Sequence, residues 1–187
     1  MTRVRLELNQ LRIHRPKVRW RLYFVVVADH PEEAGQVLVS VIPTSPILVA
    51  PDQKNEVNFE PAGKGTEGLL LLSRKMPTSR ELNVHFHVMH SRRSTRDIGT
   101  VLNDIKSATG KKALGMVEAL GVTTPWLRIA REGLPLVGKV LSTIPDRNLG
   151  FISMFERFGA EFEQETEIDR EVRGGHVTAV YSWSLVP

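Results

Sequence analysis

The chain has 187 residues, 41% of them hydrophobic and 25% charged, with no cysteine and a formal net charge of +4. At that length a single core can bury about 70% of the surface an unfolded chain exposes, which excludes a disordered chain, and the lack of cysteine excludes a disulfide-stapled one. No run approaches the roughly 18 consecutive apolar residues of a spanning helix, and Met1-Thr2-Arg3-Val4-Arg5 opens no secretory leader, so the expected setting is the cytoplasm.

Val4-Arg5-Leu6-Glu7-Leu8 alternates apolar and polar residues, the period of a half-buried strand. After Pro16, Val18, Trp20, Leu22, Phe24 and Val26 share one face and Lys17, Arg19 and Arg21 the other. A turn at Asp29-His30-Pro31 leads to the β-branched strand Val37–Ile42. Proline at 43, 46, 51 and 61 removes ladder donors and predicts short pieces, among them edge strands at Ile47–Val49 and Val57–Phe59. Leu69–Leu72 reads as a buried strand, and Leu82, Val84, Phe86 and Val88 return to period two.

The period then changes. Ile98, Val101, Leu102 and Ile105 fall on one face of a helix, as do Ala113, Met116, Val117 and Leu120. Thr124 with Pro125 suits the start of a further helix. Val137, Val140, Leu141 and Ile144 form another stripe, and Phe151, Met154, Phe155 and Phe158 a fourth, although Phe151, Ser153 and Phe155 also alternate. From Glu161 to Glu171 every odd position is acidic, which predicts one strand of a closing hairpin turning at Gly174-Gly175, with Val172 opposite Val177 and Ile168 opposite Tyr181. The expected fold is a single mainly β domain. It is an antiparallel β-sandwich, C2-like or jelly-roll-like, with strands over about 2–92, a helical insertion over about 96–158 and a C-terminal hairpin over about 160–186. The basic row Arg15, Lys17, Arg19 and Arg21 is expected beside the acidic row of Glu161 to Glu171 in one sheet, since opposed charges across strands attract.

The strand around Leu6 and Leu8, the apolar strand from Trp20 to Val27 and the run Asp146-Arg147-Asn148-Leu149-Gly150 resemble the C2-type β-sandwich, over about half the chain. The resemblance implies a calcium-independent member, because the comparable loops offer only Asp29 and Asp146, while calcium takes six to eight oxygen ligands.

His85-Phe86-His87 places two histidines on one strand face, where they can share a metal ion if a third ligand joins them. No adjacent Asp or Glu completes a metal motif, so neither metal nor other cofactor is expected, and no nucleophile elbow or phosphate loop marks catalysis. Arg92, Arg93 and Arg96 can grip phosphates or an acidic partner, whereas nucleic-acid binding lacks an aromatic platform. The apolar, sparsely charged stretch holding Leu134, Leu136, Val137 and Leu141 suits contact with a partner or membrane surface. The expectation is a non-enzymatic binding or assembly module that meets a protein partner or a membrane through its helical insertion and charged sheet surfaces. The rival readings are a metal-dependent enzyme using His85 and His87 and a structural subunit of a larger assembly, for which homo-oligomers are an option.

Overall fold

The computed structural model describes residues 2–15, 19–30, 32–49, 55–59, 68–92, 99–118 and 125–187. Lys17, Val18, Arg93, Arg96, Ile98, Leu120 and Thr124, all invoked above, lie outside them. The described residues form an antiparallel β-sandwich of two sheets, with helices on the outer face of one of them.

The first sheet runs β10 (Glu167–Gly174), β11 (Val177–Val186), β1 (Arg3–Ile13). The far edge of β1 is shared by β5 (Leu69–Lys75) along Arg3–Leu8 and β4 (Glu56–Asn58) along Gln10–Arg12. The second sheet runs β7 (Ala113–Glu118), β8 (Pro125–Ala130), β3 (Gln36–Val49), β2 (Trp20–Asp29), β6 (Glu81–His90), β9 (Arg147–Arg157). Leu6, Leu8, Phe24, Val26, Phe86, Ile152 and Trp183 bury themselves between the sheets. Across the second sheet Tyr23, Val25, Val27, Val37, Val39, Leu127 and Ile129 point the other way and are buried too, under α1 (Gly99–Thr109) and α2 (Leu134–Thr143). Strand β2 is therefore apolar on both faces, which is why its residues read as a near-continuous apolar run.

The helical insertion contains strands as well as helices. Ala113–Glu118 is strand β7, not a helix: Gly115 sits at φ +118°, the pairing slips between Ala113 and Gly115, and the ladder to β8 overrides a short stripe whose period is ambiguous. Pro125 opens strand β8 instead of a helix, at the first strand residue, where a missing N–H costs little. Over 151–158 the alternation wins: Phe151, Ser153 and Phe155 face outward from β9 while Ile152 and Met154 are buried. Among the described residues no helix is long and apolar enough to cross a membrane. Strand β3 passes through Pro43 and Pro46 without breaking because β8 pairs only with Gln36–Val39, so the proline half has a free edge.

The closing hairpin turns at Gly175-His176, one residue beyond the expected Gly174-Gly175, which moves the pairing by two. Gly174 pairs with Val177, Val172 with Ala179 and Ile168 with Trp183. A shift of two keeps every side chain on its face, so Ile168 and Trp183 still reach the core. The acidic row is shorter than expected: Glu161–Gln164 forms a helical turn, α3, that inserts Phe162 against Phe158, and only Glu167, Asp169 and Glu171 stand on β10. Nor are the strands near Arg19 and Glu165 neighbours in one sheet, since β2 lies between β3 and β6 in one sheet and β10 is the edge of the other. Arg170, within the acidic segment, pairs with Glu156 at 3.3 Å and Glu161 at 2.8 Å and supplies the compensating charge locally.

The hairpin tip packs directly on the backbone of β9. A Cβ at Gly150 would lie 2.2 Å from the Gly174 carbonyl oxygen, and one at Gly174 would lie 2.1 Å from that of Phe151. Gly150→Ala must push the sheets apart there and is expected to cost roughly 1–3 kcal/mol. Gly138→Ala in α2 meets nothing within 4 Å and is expected to stabilise by roughly 0.5–1 kcal/mol. Urea unfolding of the two variants measures both, and equal effects would contradict this close approach.

Candidate functional site

The helices cover only part of the second sheet's outer face. They lie over β8, β3, β2 and the Met89 end of β6, and among the described residues leave the rest of β6 and all of β9 open. The register fills the open area: His87 stands opposite Phe151, His85 opposite Ser153, Asn83 opposite Phe155. On the other side Val25 pairs with His87 and Val27 with His85. Side chains directly across or diagonal on one face touch. Phe151 accordingly stacks on His85 at 5.5 Å between ring centroids and lies tilted on His87 at 4.8 Å. Phe151 is 47% and Phe155 57% exposed, unusual for large apolar side chains on a regularly paired strand. Where this face meets α2, Val27, His85, His87, Leu134, Val137, Gly138 and Phe151 enclose a cleft of about 290 Å³.

The protonation of the two histidines follows from their neighbours. The β6–β9 pairing slips at Leu149, and Asn148 Oδ1 accepts the main-chain N–H of Gly150 at 3.0 Å across that irregularity. This fixes the amide, so Asn148 Nδ2 is the group 3.0 Å from His87 Nδ1 and donates to it. His87 Nδ1 is then the acceptor and the ring's proton sits on Nε2. Burial, and next the charge of His85, push His87 down to about 4, and burial lowers His85 too. His85 Nδ1 is buried without a partner among the described residues, and an orphaned buried N–H is rarer in folded proteins than an under-satisfied acceptor. The neutral ring avoids that by carrying its proton on Nε2. The site presents two uncharged imidazoles, each with Nε2–H unused among the described residues.

That arrangement opposes metal binding. A metal-bound imidazole donates its second N–H to an acceptor, which leaves the other nitrogen bare for the ion. At His87 the second nitrogen accepts from Asn148 instead, and turning the amide would break the bond to Gly150. Among the described residues no group of three or more His, Asp or Glu is placed to hold an ion.

The other expected contact residues are dispersed. Val137 and Leu141 are buried against the sheet, because their stripe is the side of α2 that closes the second core; Leu141 is out of a partner's reach, and Val137 borders only the cleft. Leu134 and Leu136 are half-buried, with Leu134 in the cleft wall. Arg92 is exposed, and its main-chain N–H donates to Asp146 Oδ1 at 3.2 Å. Asp146 is buried and also accepts from the Tyr23 hydroxyl at 2.7 Å. Asp29 pairs with Arg131 at 2.6 Å and accepts from Asn83 Nδ2 at 2.9 Å. Both loop aspartates thus serve protein donors.

A second cavity of about 340 Å³ is lined by Asp29, His30, Glu32, Glu81 and Arg131 among others, but its charges are mutually engaged. Glu32 lies 3.4 Å from Lys75, Glu81 2.5 Å from Arg157, and His30 Nδ1 accepts from the main chain of Glu32 and Glu33. The histidine cleft, with open donors and open apolar surface, is the stronger candidate. Phe151 in the cleft wall, Phe155 on the same strand face and Asn148 bonded to His87 are site residues to which the sequence assigned no functional role. The alternation of Phe151, Ser153 and Phe155 carried a signal for the first two, whereas nothing in the sequence marked Asn148.

No protein-family model matches the chain, and no curated protein matches it. Among solved structures, "Structure of Drosophila C2-DSL-EGF1" aligns over 99% of this chain and 67% of that one, at 8% identity and a TM-score of 0.36. A likeness at that score carries no argument about fold or function.

Proposed function

We propose that this chain is a non-enzymatic binding module that meets a protein partner through the open β6–β9 face of its second sheet. The observation that carries the reading is the pair Phe151 and Phe155, exposed on the edge strand β9 and continuous with an apolar cleft. Large aromatics held rigidly by a sheet supply contact area at little entropic cost, the property of residues that dominate protein interfaces. The rim of α2 at Leu134 and Leu136 borders this face, so the helical insertion contributes an edge to the surface and not its centre. The scaffold reads as a C2-type sandwich independent of calcium and working in the cytoplasm. Support comes from the two antiparallel sheets, the engagement of Asp29 and Asp146 by protein donors, and the absence of cysteine.

Partner capture on immobilised protein tests the reading directly. Phe155→Ser should lower retention of the captured protein at least about tenfold, the loss expected of an interface anchor. Leu48→Ser, at a residue 70% exposed on β3, should leave it unchanged. Equal capture by both variants would sink the proposal, and retention by anionic vesicles alone would replace the protein partner with a membrane.

The histidines give an independent prediction. His87 should remain neutral, as the Nε2–H tautomer, from neutral pH down to about 4 in a ¹⁵N titration. Because its pKa is depressed in the folded state, its contribution to stability is complete above the unfolded value of about 6.5 and is lost as pH falls from there through about 4. Asn148→Ala, which removes the donor to Nδ1, should raise the His87 pKa and flatten that dependence. A wild-type His87 titrating at 6.5 would refute the assignment.

A further inference from the structure

The cleft beside α2 has more chemical character than an exposed apolar face. Its walls are Val27, Leu134 and Val137, and its aromatic side is the Phe151 ring stacked with His85 and His87. Its polar equipment is of one kind. Asn148 occupies Nδ1 of His87, and Nδ1 of His85 is sealed from solvent, so each ring offers the cleft only its Nε2–H. The site holds hydrogen-bond donors, no acceptor of comparable strength in its lining side chains, and no cation. An apolar group entering it without an oxygen would cover those donors and leave them unsatisfied, which costs about 1–3 kcal/mol for each one buried. A carboxylate would satisfy them, but with only uncharged donors in the walls to offset the loss of its hydration.

We propose that this cleft binds an apolar, preferably aromatic, group that carries an uncharged carbonyl oxygen, which accepts from the Nε2–H of His85 or His87. This deepens the preceding reading by assigning the anchor of the binding face, and it rests on that face being open. The same chemistry has two sources, a residue of a partner chain with its own peptide carbonyl and a free aryl ketone or amide, and the experiment separates them.

The intact chain, labelled with ¹⁵N at histidine, is titrated at pH 7 with four probes. Acetophenone has the ring and the carbonyl. α-Methylstyrene has the same shape with a CH₂ in place of the oxygen. Benzoate adds a charge, and N-acetylphenylalanine methylamide presents the ring and carbonyl as a peptide would. Acetophenone should bind saturably, shift an Nε2 resonance of His85 or His87, and exceed α-methylstyrene in affinity by about fivefold, the worth of one net hydrogen bond. In His85→Phe/His87→Phe, which keeps two rings and removes both donors, that preference should vanish while α-methylstyrene still binds. If the double variant unfolds, His85→Phe and His87→Phe serve singly as the readout: at least one of them should abolish the preference, and its persistence in both would overturn the proposal.

Equal affinity of acetophenone and α-methylstyrene for the wild type, benzoate as the tightest ligand, or no saturable binding by any probe would overturn the proposal. If the capped phenylalanine binds with the same histidine shifts, the anchor is a partner's residue. If only acetophenone does so, the site stands as a small-molecule site, and the protein-partner reading falls without it.

Discussion

Everything described here follows from one constraint: the second sheet is apolar on both faces. A sheet with Leu22, Phe24 and Val26 on one side and Tyr23, Val25 and Val27 on the other cannot be satisfied by a facing sheet alone. Leaving the second row in water would forfeit roughly 1.5–3 kcal/mol for each large side chain. The helical insertion answers that need, and Val101, Leu102, Ile105, Val137, Val140 and Leu141 lie on the exposed row as a lid. The lid spans fewer strands than the sheet has. Past Met89 the outer residues of β6 become Asn83, His85 and His87, which tolerate water, and the helices end. The candidate site is the margin where the sheet continues and its cover does not.

Phe151 and Phe155 break the economy of that margin, because residues chosen for water would be polar there. Their strand is held in place by the other sheet. Gly150 and Gly174 permit a backbone approach that no side chain would allow, and His176 donates its main-chain N–H to the Leu149 carbonyl at 3.0 Å. The same segment carries the irregularity at Leu149 and the amide of Asn148, which sets the proton of His87. The clasp between sheets and the electronic state of the cleft are thus one local structure. A change at Gly150 is felt first in packing and then in His87, through the bond between its N–H and Asn148 Oδ1.

The fold was readable where period and burial agree. Leu82, Val84, Phe86 and Val88 alternate and are all buried on one face; Val137, Val140 and Leu141 form a helical stripe and are buried under it. It was unreadable where a short segment fits two periods. In Ala113–Glu118 a helix stripe and a strand coincide, and the choice was made by a partner, β8, that lies beyond the segment itself. The hairpin register shows the same dependence in a milder form: two adjacent glycines admit two turns, both of which keep the faces right. The charge rows failed for a different reason. Opposite charge contributes at most about 1 kcal/mol per cross-strand pair, too little to compete with burial in deciding which sheet β2 joins.

The site was half legible for a reason that separates chemistry from environment. A His-x-His pair on one strand face can be read from spacing alone, and so can its potential to hold a metal ion. What each ring does depends on what meets its second nitrogen, and for His87 that is decided by Asn148, 61 residues away along the chain and adjacent only because β6 pairs with β9. A carboxylate or carbonyl at that position would have left Nε2 bare and basic, a ligand for a metal ion. An amide nitrogen held there, because Oδ1 of the same amide accepts the Gly150 N–H, leaves Nε2 of His87 protonated and makes that histidine a neutral donor. Identical residues at identical spacing can therefore serve opposite chemistries, and in this chain the amide of Asn148 selects recognition of an acceptor over coordination of an ion.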